Sequence, residues 1–286
     1  MTALDDFWDY DDPAASEARF REAIDAAEAD DDHAAADEAR TQLARALGLQ
    51  GQFGDANLIL DQLDADHPAD DRVRVRVLLE RGRLLRSSGD AAASATPFEA
   101  AWATALRLGE DGLAVDAAHM LALIDAPPGE QAWHKRALDL ADSSPDPAAR
   151  KWRGSLWNNI GWARFEATDL DGALAAFETA LVARLEPRKP KETRIAEWCI
   201  ARCFRALGRP AEALAIQERL TAETAAAGEP EDGFCTEEIG ECLLVLGRDD
   251  EARPYLARAA ALLSADSSLA DHEPDRIARL RLLGEG

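Results

Sequence analysis

The stretch GSLWNNIGWARF, residues 154–165, concentrates side chains that could bind a ligand. On a helix, Asn158, Trp162 and Phe165 share one face, because residues four and seven positions apart lie above one another. An asparagine side chain offers two hydrogen-bond donors and an acceptor, so it can bind the backbone of an extended peptide, and Asn159 adds a second such side chain. Exposed aromatic rings are costly unless another molecule covers them. This face is therefore predicted to contact a ligand. The opposite face is predicted to pack, and it consists of Trp157, Ile160 and Gly161.

Four cysteines could carry a different chemistry. Cys199 and Cys203 lie four residues apart on one predicted helix, and Cys235 and Cys242 lie seven apart on another. This spacing permits zinc binding, but it equally suits small buried side chains between helices. So few cysteines in so long a chain do not form a disulfide framework. We expect reduced thiols, no metal and no cofactor.

An enzyme that uses His119, Asp116 and Glu241 as acid–base groups is a remote alternative. Proton transfer needs groups within about 3 Å of the reacting atom, whereas these residues come from separate parts of the chain. The common phosphate-binding, dinucleotide-binding, zinc-protease and hydrolase signatures are absent from the sequence. We therefore expect a non-catalytic protein.

The composition indicates which elements position these residues. Hydrophobic residues make up 47% of the 286 positions, and the formal net charge is -23. Alanine and leucine dominate and β-branched runs are nearly absent, which favours an all-α fold. Such an acidic chain would repel nucleic acid, and no apolar run is long enough to span a membrane. Without a secretory signal pattern, a cytoplasmic location is expected.

The helix that carries Asn158 belongs to a repeating pattern. The helix–turn–helix motif of roughly 34 residues, W-x2-L-G-x2-Y followed by A-x3-F, describes the stretch that begins at Trp157. Six residues match it: Trp157, Ile160, Gly161, Ala173, Phe177 and Ala180. The chain therefore resembles tetratricopeptide repeat (TPR) proteins of bacterial type, although Arg164 stands where the motif has tyrosine.

Five further units match more weakly at comparable spacing. They cover residues 40–68, 78–101, 114–137, 197–220 and 236–259. Because no single unit can bury its apolar face alone, we expect the six units to stack as antiparallel helix pairs in one right-handed superhelical solenoid. The predicted organisation has three parts: an acidic segment and capping helix in 1–32, six repeats in 33–264, and a capping helix in 265–286. The two capping helices are predicted at Pro13–Ala29 and Pro274–Leu283.

The resemblance implies where a ligand would bind. In TPR proteins the first helix of each unit lines a concave groove, and those that bind peptides use asparagines and basic residues there. In this chain we expect arginines to hold acidic groups, asparagines the peptide backbone and aromatic rings apolar side chains. The residues placed there by the resemblance are Arg45, Arg83, Arg86, His119, Asn158, Asn159, Trp162, Phe165, Trp198, Arg202, Arg205, Glu237 and Glu241. The lysines of the family's carboxylate clamp are missing.

Two interpretations of this groove stay open. In the first, the protein is a scaffold or receptor for a protein or peptide segment, which could carry acidic groups. In the second, the arginines pair with the chain's own acids, neighbouring elements cover Trp162, and the array is a structural or self-associating subunit. The acidic runs EADDDH (28–33) and LDDFWDYDD (4–12) lack the glycine and final glutamate of an EF-hand, so we expect solvated helix ends there.

Overall fold

The computed structural model describes residues 4–66, 71–185 and 190–285. Helices dominate these residues, and no strand occurs among them, which confirms the all-α prediction. Two late prolines of the predicted repeats, Pro68 and Pro187, lie outside the described ranges. No helix in those ranges is both long and apolar enough to cross a membrane.

The chain divides into two compact units, Met1–Leu156 (unit 1) and Trp157–Gly286 (unit 2). The three-part division at residues 32 and 264 stays a prediction. Within each unit, most helices pack against the next helix along the chain. Because only a few residues join them, consecutive helices run antiparallel.

Unit 1 begins with a short 3-10 helix and continues with α-helices. Their bounds are Leu4–Phe7 for the 3-10 helix, then α1 Pro13–Ala29, α2 His33–Leu49, α3 Phe53–Asp66, α4 Arg72–Ser87, α5 Ala91–Leu108, α6 Asp111–Ala122, α7 Gly129–Ser143 and α8 Pro147–Arg150. The helices α2 and α3, α4 and α5, and α6 and α7 form successive pairs. Helix α1 has the predicted bounds and packs on α2.

Unit 2 contains three further pairs and ends in a helix beyond them. The bounds are α9 Arg153–Glu166, whose first turn falls in unit 1, α10 Leu170–Leu185, α11 Pro190–Ala206, α12 Pro210–Ala226, α13 Gly233–Val245, α14 Asp249–Leu263, α15 Ser267–His272 and α16 Pro274–Glu285. Helix α16 begins at the predicted proline and packs on α14, with Leu280 fully buried.

A small residue on the first helix of a pair receives a large side chain from the second helix. A β-carbon on the glycine would overlap that side chain in three pairs: Gly82 with Phe98, Gly161 with Phe177, and Gly240 with Leu256. The partners are sixteen residues apart each time. This close approach explains why the motif requires a small residue, since any larger side chain would push the two helices apart.

The same offset in the other pairs reveals two polar substitutions. Ala118 is followed sixteen residues later by His134, and Ala201 by Gln217, where an apolar side chain is expected. His134 is 4% exposed and Gln217 is fully buried. The helical pairing therefore tolerates a polar group at its centre.

Aspartates explain where many of the helices begin. The carboxylates of Asp12, Asp32, Asp71 and Asp90 each accept a hydrogen bond from a backbone N–H in the first turn of the helix that follows. Such a cap satisfies a donor that has no partner within the helix, and the negative charge also suits the positive end of the helix dipole. Part of the strong acidity of the chain therefore comes from helix starts, as expected for residues 28–33.

Candidate functional site

Four aromatic side chains form a continuous row across the first helices of the three pairs in unit 2. Phe165 and Trp162 come from α9, Trp198 from α11 and Phe234 from α13. Ring centroids are separated by 5.4 Å between Phe165 and Trp162, 5.9 Å between Trp162 and Trp198, and 6.3 Å between Trp198 and Phe234. We call these four residues the aromatic lane.

The aromatic lane lies partly in the core and partly on the surface. Trp162, Phe165 and Trp198 are half-buried and pack on the core of unit 2, and the Trp162 ring lies 5.3 Å from that of Phe177. At the far end Phe234 is 39% exposed, and the Arg276 guanidinium of α16 lies 5.2 Å from its ring centroid. Ile195, one turn before Trp198, is 44% exposed. The predicted separation into a packing face and a ligand face is therefore incomplete, since Trp162 contacts both sides.

A guanidinium group lies against three of the rings. The Arg202 Cζ atom is 5.9 Å from the Trp162 centroid and 5.8 Å from those of Phe165 and Trp198, within the range of cation–π attraction. Arg202 also forms an ion pair with the buried Glu238. Among the residues the structure describes, neither the buried Nε of Arg202 nor the buried indole N–H of Trp198 has a hydrogen-bond partner.

Other predicted charges of unit 2 are held by the chain itself. Arg205 binds Glu238 through two hydrogen bonds of 2.8 Å. Glu237 and Glu241 are only 5% and 8% exposed, and they pair with arginines of α16, Arg276 and Arg279 respectively. These ion pairs link successive first helices and the final helix. They correspond to the interpretation in which groove charges neutralise one another.

The two asparagines are half-buried beside the aromatic lane. The Oδ1 atom of Asn158 accepts a hydrogen bond from the Cys199 thiol, with an oxygen–sulfur distance of 3.5 Å. One acceptor of the predicted ligand-binding amide therefore already has a partner in α11. Gly161 on the same helix is buried against Phe177, which agrees with its predicted packing role.

In unit 1 the predicted residues surround a buried charge cluster. Arg83 donates to Glu80 and Asp116 at 2.5 Å each, and its side chain is 12% exposed. Burial would raise the pKa of Asp116, but Arg83 beside it holds that pKa below its usual value. Burial also lowers the pKa of His119 to about 4, so its imidazole is neutral near pH 7. Arg86 is exposed in the last turn of α4.

The most important contact in unit 1 was not predicted from the sequence. Arg45 lies 5.2 Å from the Trp8 ring and 5.5 Å from the Tyr10 ring, so two residues of the N-terminal acidic segment cover it. The expectation of solvated helix ends in 4–12 agrees with the cap that Asp12 forms on α1 and with Tyr10, which is 58% exposed, but it does not include the contacts of the two rings with Arg45. The sequence does contain a signal for this contact, because aromatic residues lie among the aspartates of this segment and helix capping requires only the aspartates.

The four cysteines are free and buried. Burial raises the pKa of the Cys199 and Cys242 thiols to about 12, and it also raises those of Cys203 and Cys235. Among the described residues, no three histidine, cysteine or acidic side chains come together in a way that could hold a metal ion.

Comparison with known proteins identifies the fold. No protein-family model and no curated protein matches the sequence. A solved tetratricopeptide repeat protein from Parabacteroides merdae is similar over 99% of this chain and 96% of its own, with a TM-score of 0.54 and 15% identity. A Podosopora anserina protein of nearly identical TPR-like repeats aligns over 82% of this chain and 95% of its own, with a TM-score of 0.37 and 15% identity. The first likeness confirms the predicted TPR-type helical repeat fold.

Proposed function

We propose that this TPR-like protein is a non-catalytic interaction scaffold, and that the aromatic lane of unit 2 binds an extended partner segment with apolar side chains. The observation that carries the proposal is the row of four rings across three successive first helices, with its Phe234 end exposed. Aromatic side chains are enriched at binding hot spots because they bury a large area and lose little conformational entropy.

The dimensions of the aromatic lane suit a short stretch of peptide. Its successive ring separations of 5.4, 5.9 and 6.3 Å set an upper bound on its length of about five residues of extended chain at roughly 3.3 Å per residue. Alternate side chains of such a segment would point toward the rings. Asn158 and Asn159 lie beside Trp162 on α9, and their side-chain amides are proposed to bind the peptide backbone.

The charged residues have a supporting role in this proposal. Ion pairs hold the first helices in place, and they involve Arg205, Glu237 and Glu241. Arg202 lies on the rings, and 28% of its side chain is exposed to solvent. The proposed partner is therefore selected mainly by apolar side chains, with Arg202 available to an acidic group at the edge. A cytoplasmic setting is proposed, which four free buried thiols support.

The non-catalytic part of the proposal is supported by the state of the candidate acid–base groups. Asp116 is ion-paired with Arg83, and Glu241 is ion-paired with Arg279. Although burial would raise it, the pKa of Asp116 is held below its usual value by the Arg83 guanidinium, so this carboxylate is a weak proton acceptor.

The test is selection of peptides from a random display library on the full chain, followed by measurement of Kd for the enriched sequences. We expect enriched peptides with two or more apolar residues at alternating positions, and a Kd at least tenfold higher for Phe234→Ala. The matched control is Val182→Ala, which removes an apolar side chain that is 65% exposed on the second helix α10. This control should leave Kd unchanged.

Two outcomes would contradict the proposal. One is failure to enrich any peptide, and the other is equal binding by the parent chain and Phe234→Ala. A concentration-dependent change in oligomeric state that Phe234→Ala abolishes would instead support the self-associating subunit. Sedimentation of both variants distinguishes these results.

A further inference from the structure

The N-terminal segment of residues 4–12, LDDFWDYDD, lies on unit 1 and is fixed to α1 at its centre. The Phe7 and Trp8 rings contact Phe20 with centroid distances of 5.9 and 5.0 Å. The buried Ser16 hydroxyl accepts a hydrogen bond from the Asp9 backbone N–H and donates one to the Asp9 carbonyl, both at 2.8 Å. These contacts hold the segment against the first two turns of α1.

Beyond this anchor the segment covers a predicted binding residue of α2. The Trp8 indole N–H donates to the Gln42 amide oxygen at 3.2 Å. The Trp8 and Tyr10 rings are stacked at 4.8 Å with an angle of 1° between their planes, and the Arg45 guanidinium lies near both. An arginine placed against two stacked rings is a typical arrangement for the recognition of aromatic residues.

The charges of the segment and of the surface beneath it are complementary. The segment has five aspartates and no basic residue, and Asp5 forms an ion pair with Lys151 after α8. Partial desolvation of the phenol raises the pKa of Tyr10 although more than half of the residue is exposed, while Arg45 and Arg83 act to lower this pKa, so both cations lie near the phenol. The segment therefore contacts α2 and extends toward α4 and the end of α8, on the face that carries Arg45 and Arg83.

We infer that residues 4–12 are a built-in ligand of unit 1, and that the face carrying Gln42, Arg45 and Lys151 docks a partner peptide in which aromatic residues alternate with acidic ones. The contacts made by Trp8, Tyr10 and Asp5 are those that a separate peptide of this composition would make. Leu4, Phe7 and Trp8 are half-buried against the core of unit 1, whereas Tyr10 is 58% exposed and Asp5 is exposed. A competitor can therefore reach the segment first at Tyr10 and Asp5. This site belongs to unit 1 and does not depend on the aromatic lane.

Covalent attachment makes the segment a strong competitor. A short tether gives a local concentration on the order of millimolar, so a free peptide with an intrinsic Kd of about 100 μM would bind the closed chain roughly tenfold more weakly. Weakening the segment should restore the intrinsic affinity. In the parent chain, a partner peptide therefore displaces the segment only if its affinity or its concentration is high enough.

The experiment measures binding of a fluorescein-labelled synthetic peptide, LDDFWDYDD, to the full chain. We expect Trp8→Ala with Tyr10→Ala to bind it with a Kd at least tenfold lower than the parent chain does. Adding Arg45→Ala should abolish this gain, while adding Phe234→Ala should leave it intact. Binding should weaken as the salt concentration rises, because salt screens the ion pair that the aspartate of the peptide would form with Lys151. The control peptide has alanine in place of tryptophan and tyrosine.

Several results would overturn the inference: equal binding by the parent and opened chains, no binding to either, binding that survives Arg45→Ala, or equal binding of the control peptide. Each would make the segment a structural cap of unit 1. If Trp8→Ala with Tyr10→Ala loses its helical circular dichroism, Asp5→Asn with Tyr10→Ala replaces it, because both of these residues are exposed. The same criteria then apply. Loss of binding through Phe234→Ala would assign the peptide to the aromatic lane and contradict this inference alone.

Discussion

Gln217 offers a direct test of how the helix pairs are stabilised. Its side chain is fully buried on α12, and within the described part of the chain neither the amide oxygen nor the amide nitrogen has a hydrogen-bond partner. It occupies the position that Leu60 and Leu256 hold in two other pairs. Gln217→Leu should therefore replace an unsatisfied amide with an apolar group in an apolar seam.

The expected gain follows from the burial of this amide. Leaving a buried polar group without a partner costs about 1–3 kcal/mol, and leucine adds favourable apolar burial if it fits. We expect Gln217→Leu to raise the free energy of unfolding by about 2 kcal/mol. With a urea dependence of about 1–3 kcal/mol per molar, the midpoint of unit 2 should rise by roughly 1 M.

The assay is urea unfolding followed by circular dichroism and tryptophan fluorescence, because helical repeats can unfold in segments and one probe would not suffice. The matched control is Gln62→Leu, a change of the same type at an exposed position of the second helix α3. It should alter stability by less than about 0.5 kcal/mol. A loss of stability in Gln217→Leu would refute the reasoning, since it would mean that the amide is satisfied in solution.

Three further predictions concern unit 2. Gly161→Leu should destabilise by about 1–3 kcal/mol because the new side chain overlaps Phe177, whereas Gly54→Leu, where a β-carbon meets nothing within 4 Å, should have little effect on the melting temperature. Thr168→Gly should stabilise by roughly 0.5–1 kcal/mol in chemical unfolding, because this threonine has a φ of 62° and glycine adopts positive φ without strain; destabilisation would contradict this. Burial raises the pKa of the Cys199 thiol to about 12, so thiol reagents should label the native chain slowly and the urea-unfolded chain fast. The free energy of unfolding should also fall between about pH 9 and 12, because the thiol loses its proton there in the unfolded chain and keeps it in the folded one. Rapid native labelling at pH 8 would contradict the burial.

The sequence by itself determined the fold class and the helix-pair seam. Small residues followed by large ones at a fixed offset can be recognised from one chain, since the close approach of two helices allows few side chains at these positions. Gly161 with Phe177 follows this rule, and the first terminal helix could be placed from Pro13 because proline suits the first turn. Local sequence sufficed where a local geometric rule applied.

Only the tertiary structure decided which charged side chains have partners within the chain. Glu237 and Arg276 are 39 residues apart, and Lys151 pairs with Asp5 from 146 residues away. Nothing in the local sequence specifies such pairs, because an ion pair depends on which helices meet and on the reach of two flexible side chains. The cover of Arg45 by Trp8 has the same origin. Periodicity predicts the face on which a residue lies, but the path of a distant segment determines whether that face is open.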